Sequence, residues 1–307
     1  MNLTLKEAYN KYIDYVILKC KPQSIRSIKS RFNSYILPYL GDKKLKDIDA
    51  LCYLEWQIEI DKKGFSYKYN KALHYSMVSL FNFCITFLDV QKNIPSCVGN
   101  FKKKYETSNE IVCWNINEYY KFISVADNQV YKTLFNFLYF TGCRIGEALA
   151  LTFNDISDNV VSINKTISKE YINGARMITS PKTKKSIRKI HIDNTLLREI
   201  NLLKDYYNIK NDNINNLYVF GGLKPLAPTT VTRYKNLYCE LAGVRKIRLH
   251  DFRHSHATLL ITNNVPINDI SERLGHSNIN TTLETYIHSN TDNEKRVLET
   301  LESLRLF

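Results

Sequence analysis

The chain is expected to be mainly α with a small antiparallel β-sheet, divided into an N-terminal helical domain and a C-terminal mixed α+β domain. Three observations predict this. Apolar residues recur at helical spacing through residues 1–100, short alternating stretches lie between Val160 and Ile192, and Phe101-Lys-Lys-Lys-Tyr-Glu-Thr-Ser-Asn109 has no apolar period. At 307 residues and 44% hydrophobic content, the chain can fill two cores.

Taken in order, Thr4 can cap a first helix whose apolar positions are Leu5, Ala8, Tyr9, Tyr12, Ile13 and Val16. Pro22 begins a second, with Ile25, Ile28, Phe32, Tyr35 and Ile36 on one face, and the stretch Pro38 to Lys44 ends it. Ile48 to Ile60 and Asn70 to Phe87 complete a four-helix unit over residues 1–100, and residues 101–109 form a basic linker. Helices follow over Asn115 to Val125 and Gln129 to Tyr139. Then come strands at Val160 to Ile163, Ala175 to Ile178 and Ile187 to Ile192, with turns at Asn173-Gly174 and around Pro181 to Lys184. Further helices are predicted over Asn194 to Tyr207, Ala227 to Ala242, His250 to Asn263, Pro266 to Leu274 and Asn280 to His288. The larger domain spans 110–290. In the tail, 291–307, Val297, Leu298, Leu301 and Leu304 share a helical face suited to docking on a neighbouring subunit or on its own domain.

Lys and Arg exceed Asp and Glu by 43 to 30, a net charge of +13, which favours an extended anionic partner, nucleic acid first. The excess is denser in residues 1–106, with 18 basic against 10 acidic, than in the remainder, with 25 against 20. The candidate phosphate contacts are Lys19, Lys21, Arg26, Lys29 and Arg31, joined by Lys102, Lys103 and Lys104 in the linker. Seven scattered cysteines with no C-x-x-C pair argue against a disulfide framework or a cysteine zinc site and point to a reducing cytoplasm. The apolar runs are too short for a membrane span.

The chemistry concentrates in the second domain. His250 and Arg253 are three residues apart, on one helical face. Gly275 ends a helix and presents His276 from a turn, and Tyr286 follows on the next helix. Arg144 comes directly after Thr141-Gly142-Cys143 at a helix start, with Glu147 one turn on as a partner that orients it. Two arginines can grip one phosphate, because a guanidinium donates in a fork and stays charged. Tyrosine attacks a phosphodiester only if its proton is removed or its oxyanion stabilised, and the leaving sugar oxygen needs a proton in return. Lys182 is placed to donate it, with Lys184 and Lys185 as alternatives, and His250 or His276 can assist. His250 and His254 also have the spacing of a helical metal pair. Asp251 and Arg253 beside them disfavour zinc, so His254 and His256 are read as structural.

Four pieces in this order, Thr141 to Glu147, Pro181 to Lys184, His250 to Ala257 and Leu274 to Tyr286, resemble the tyrosine recombinase, or phage integrase, family. The resemblance implies a helical core-binding domain followed by a catalytic domain. It implies Arg144 and Arg253 as phosphate ligands, Lys182 as the hairpin lysine, His250 and His276 as active-site histidines and Tyr286 as nucleophile. It further implies a site-specific recombinase that cuts double-stranded DNA through a 3′-phosphotyrosyl link, needs neither metal nor ATP, and acts as a homotetramer on paired sites in a bacterial host's cytoplasm or nucleoid. Accessory DNA-bending or directionality proteins, and a tail exchanged between subunits, belong to the same expectation. Longer members carry an arm-binding domain, so the expectation is a member working without one, or a truncated chain. A dimer-resolving recombinase, a topoisomerase of the same chemistry and a non-cutting DNA binder are the competing readings. The complete residue set argues against the last.

Overall fold

The computed structural model describes residues 2–102, 112–172, 175–181, 184–208 and 214–275. The chain forms two compact units, 1–109 and 110–307. Among the described residues no helix is long and apolar enough to cross a membrane.

The first unit is helical. Helix α1 (Leu5–Lys19) starts at a reciprocal cap, in which the Thr4 amide donates to Glu7 Oε2 at 2.8 Å and the Glu7 amide to Thr4 Oγ1 at 3.2 Å. It buries Leu5, Ala8, Tyr9, Tyr12, Ile13 and Val16, the apolar set read from the sequence. Helix α2 (Pro22–Arg31) does not stop at the expected loop. It widens into a π-turn at Phe32–Ile36 and continues as α3 (Leu37–Leu40). The π-turn bonds the Leu37 amide to the Phe32 carbonyl, and Pro38, which has no N–H, falls in the first turn after it, where none is needed. Helices α4 (Ala50–Asp61) and α5 (Tyr67–Phe87) are capped by Asp49 and Ser66, and a short α6 (Ile94–Val98) follows, capped by Asn93. That last helix was not expected, because five residues are too few to display a period. Tyr9 stacks on Phe32 at 4.6 Å, and the buried Tyr53 hydroxyl pairs with His74 Nδ1 at 2.9 Å.

The second unit begins with α7 (Ile116–Ser124), α8 (Gln129–Thr141) and α9 (Ile145–Ala150). Strands β1 (Ile156–Ser157), β2 (Val160–Ile163), β3 (Thr166–Ile172), β4 (Ala175–Thr179) and β5 (Arg188–His191) follow. Helices α10 (Asn194–Asn208), α11 (Pro228–Ala242), α12 (Asp251–Thr262) and α13 (Ile267–Leu274) complete the described part. The single expected sheet is two. β1, β2 and β5 pair antiparallel in that order, while β3 and β4 form a separate hairpin. Pairing of Val161 with Ile190 puts β5 directly beside β2, so the intervening hairpin is excluded from that sheet. β3 escaped notice because Ile167, Tyr171 and Ile172 do not alternate, and its register shifts between Ile167 and Tyr171. Asn173, Gly174, Lys182, Thr183 and the helix expected over Asn280 to His288 lie outside the described residues.

The core is aromatic. Tyr119 stacks on Tyr139 at 3.7 Å, and Trp114, Phe122 and Phe135 pack on Phe252 of α12. The Trp114 amide donates to Ser255 Oγ at 2.9 Å, so α12 is held by hydrogen bonding as well as by packing. Between α8 and α9 the chain turns at Gly142, φ +67°. A Cβ there would lie 2.5 Å from Leu274 Cδ2 and 2.7 Å from His256 Cδ2. Gly142→Ala should therefore destabilise the second unit by about 2–4 kcal/mol, combining left-handed strain with overpacking. Urea unfolding measures it, and an unchanged midpoint would mean that the turn is free to rearrange.

Candidate active site

Three described residues of the expected constellation gather around the Gly142 turn. Thr141 donates its hydroxyl to the Phe137 carbonyl and accepts the Cys143 amide at 3.2 Å, which fixes the exit from α8. Arg144 then stands at the N-cap of α9. Its amide donates to Glu147 Oε2 at 3.1 Å and its guanidinium Nη1 to Glu147 Oε1 at 2.7 Å. Arg253, 3% exposed on α12, donates Nη1 to the Gly142 carbonyl at 3.0 Å and Nη2 to the Leu274 carbonyl at 2.7 Å. One guanidinium thus ties the turn before Arg144 to the end of α13. Burial, Arg144 and Arg188 push Arg253 down to about 9, which leaves it charged at neutral pH.

His250 stands at the N-cap position of α12, open to solvent on one side, with its ring 5.1 Å from that of His254 and perpendicular to it. Partial desolvation, helped by His254, Arg253 and Arg144, lowers its pKa to about 4. The imidazole is therefore neutral at pH 7 and able to hydrogen-bond a phosphate or pass a proton. Lys182, His276 and Tyr286 lie outside the described residues. Gly275, φ +70°, ends α13 just before His276. A Cβ on Gly275 would come within 2.9 Å of the Lys185 carbonyl, so the helix end is seated on the segment that follows Lys182.

Two arginines escaped the sequence reading. Arg188 on β5 donates Nη2 to Glu147 Oε2 at 3.0 Å, Nε to the Arg273 carbonyl at 2.8 Å and Nη1 to the Ser186 carbonyl at 3.1 Å. A signal was present, because strand alternation puts residue 188 on the inward face with Ile190 and Ile192, and an inward arginine calls for a buried acid. Burial pushes the Glu147 carboxyl up, but Arg188 and Arg144 more than offset it and hold it below the usual carboxylate value. Arg273 is the second. Its Nε donates to His256 Nε2 at 3.3 Å, and its Nη1 and Nη2 donate to the His191 and Phe140 carbonyls, each at 3.2 Å. His256 Nε2 must accept, so Nδ1 carries the proton given to the Tyr139 carbonyl at 2.8 Å. His256 is a structural post beneath the turn.

In the first unit, Lys19 lies in the last turn of α1 with Nζ 4.6 Å from the Tyr15 ring centroid, and Lys21 stands at the N-cap position of α2. Arg26 and Lys29 share the exposed side of α2, Arg31 is half-buried and Lys102 is exposed. Lys103 and Lys104 lie outside the described residues.

Comparison with known proteins gives a consistent picture. The phage integrase family pattern matches residues 115–293, and that of the phage integrase N-terminal SAM-like domain matches residues 4–60. The chain is 29% identical over 310 residues to the ICEBs1 integrase of Bacillus subtilis strain 168, covering 95% of this chain and 81% of that protein. Its fold is similar to that of the Tn1549 transposon integrase solved in complex with transposon right end DNA, with TM-score 0.81, 20% identity, and 98% and 100% of the two chains covered. It is also similar to a lambda integrase tetramer bound to a Holliday junction, with TM-score 0.68, 15% identity, and 92% and 77% covered.

The histidines imply an acid limit to stability. His250, His254 and His256 all have folded pKa values below the ordinary one, His256 at about 3 through burial and Arg273. Between pH 6.5 and those values the unfolded chain binds more protons. Stability contributed by the neutral rings is therefore complete above about pH 6.5 and falls as pH drops, by roughly 1.4 kcal/mol per unit for a fully buried ring. His256→Gln should be less stable than wild type at pH 7.5, yet lose less on going to pH 5. Parallel losses in a melting series would reject this account.

Proposed function

The chain belongs to the phage integrase family, and from that premise we propose how its residues divide the work of cutting and rejoining DNA. It is an enzyme, a site-specific recombinase of the tyrosine type, and its relatives are integrases of mobile elements. The observation that carries the residue-level reading is the meeting of Arg144 and Arg253 at the Gly142 turn, with a neutral His250 beside them.

Attack on a phosphodiester spreads added negative charge over the nonbridging oxygens, which fixed guanidiniums stabilise without reorganising. Arg144, on a helix N-terminus and 37% exposed, supplies one fork, and Arg253 supplies the other. Tyr286 attacks phosphorus as its proton passes to His250 or His276, the bond to the 5′-oxygen breaks, and Lys182 protonates that oxygen. His250 and His276 hydrogen-bond the phosphate and take part in proton transfer. A 5′-hydroxyl from the partner duplex then attacks the 3′-phosphotyrosine and releases Tyr286. The substrate is double-stranded DNA, and the active assembly is a tetramer on two paired sites. The first unit lies along the phosphate backbone through Lys19, Lys21, Arg26, Lys29 and Arg31, helped by Lys102, Lys103 and Lys104. The domains are residues 1–100 and 110–290, with a linker between them and a tail that docks on a neighbouring subunit.

A duplex nicked near the element's end sequence traps the covalent intermediate. Wild type should form a protease-sensitive 3′-linked adduct and Tyr286→Phe none. An adduct with the phenylalanine protein would refute the nucleophile assignment. Arg144→Ala or Arg253→Ala should slow cleavage by about 10² or more while DNA binding persists through the other phosphate contacts. Equal loss of binding and cleavage would contradict the division between gripping and chemistry.

A further inference from the structure

The carboxylate of Glu147, 3% exposed, is shared by two arginines of different reach. Oε1 receives Arg144 at 2.7 Å and Oε2 receives Arg188 at 3.0 Å. Arg144 is 37% exposed, so its outer edge is open to a ligand, whereas Arg188 is 7% exposed and committed on every side. The Arg188 Nε and Nη1 groups are bound to the Arg273 and Ser186 carbonyls, and Nη2 lies 3.8 Å from Cys143 Sγ as well as against Glu147. Among the described residues four of the five Arg188 N–H donors are thus engaged, and at 7% exposure the group is turned away from solvent and from DNA. A carboxylate placed one turn after Arg144, with no other cation, would draw that guanidinium into a closed neutral pair. The attraction is strong because the carboxylate is out of water.

We propose that Arg188 is a positioning residue whose charge neutralises Glu147, so that Arg144 is oriented by this carboxylate yet keeps its positive charge for the scissile phosphate. The inference rests on the reading of Arg144 as a phosphate ligand. The trio carries one negative charge against two positive, and the surplus sits on Arg144, the member that faces solvent. The bond to the Arg273 carbonyl places the same guanidinium against the last turn of α13, one residue from Leu274, whose carbonyl receives Arg253. Arg188 thus connects β5, α9 and α13 through one planar group.

The test uses the full chain with four substitutions: Arg188→Met, Glu147→Gln, the two combined, and Arg188→Lys. Each protein is measured for single-turnover adduct formation on the nicked duplex, for affinity to the same duplex, and for melting temperature. Arg188→Met should cleave about tenfold or more slowly with affinity changed by less than about threefold, since only transition-state charge is withdrawn. Adding Glu147→Gln removes the stranded carboxylate and should restore the rate to within about threefold of Glu147→Gln alone. Arg188→Lys keeps the charge without the fork and should stay within about threefold of wild type. A purely structural Arg188 would make the double variant as slow as Arg188→Met or slower, and that result overturns the proposal. If Arg188→Met does not fold, Arg188→Lys decides, and a folded lysine protein slowed tenfold or more counts against charge neutralisation. Wild type that forms no adduct, or Arg144→Ala that cleaves as fast as wild type, would instead strike the reading of Arg144 itself.

Discussion

The left-handed turn at Gly142 is the constraint on which the second unit's candidate site depends. Its carbonyl receives Arg253, and the missing side chain leaves room for His256 and Leu274. The residue two places on is Arg144, set at a helix N-terminus. A short turn is a rigid way to hold two guanidiniums from distant parts of the chain at one place. Arg253 is 111 residues from Gly142 in sequence, and its hydrogen bond closes that loop. Scatter in either helix would otherwise pass directly to the separation of the two charges.

Among the described residues, cationic side chains outnumber anionic ones around this turn. Arg144, Arg188, Arg253 and Arg273 converge, and Glu147 is the carboxylate that two of them touch. Much of the hydrogen-bonding capacity of the buried arginines is met by carbonyls: Gly142, Leu274, Arg273, Ser186, His191 and Phe140 all accept from them. Carbonyls satisfy donors without cancelling charge, so the region stays positive while its polar atoms are paired. A phosphate fits such a region better than a neutral ligand does. The lowered pKa of His250 follows first from desolvation and then from His254, Arg253 and Arg144.

Much of the fold was legible from local chemistry. Thr4 and Asn115 each cap a helix with a glutamate three residues on, and the buried face of α1 follows from its spacing alone. The helix begun at Pro22 was expected as far as Ile36, but its π-turn and its continuation through Pro38 to Leu40 were not legible, since a π-turn leaves the residue pattern unchanged and Pro38 reads as a stop. Strand β3 was hidden because Ile167, Tyr171 and Ile172 do not alternate, whereas its partner β4 and the Asn173-Gly174 turn were expected from the sequence. Arg144, His250 and Arg253 stood out through short motifs whose spacing is local. Arg188 and Arg273 did not, because the groups that explain them lie 41 and 17 residues away, at Glu147 and His256.

By itself the sequence determined the helical class, the basic charge, the caps, and the residue types able to hold and attack a phosphodiester. Each of these depends on neighbours within one or two turns, so composition and spacing suffice. The tertiary structure decided which arginine faces solvent and which is buried, which carbonyls they bind, and that the strands divide into two sheets. Those outcomes depend on contacts between segments far apart in the chain, where burial sets the value of each charge and hydrogen bond.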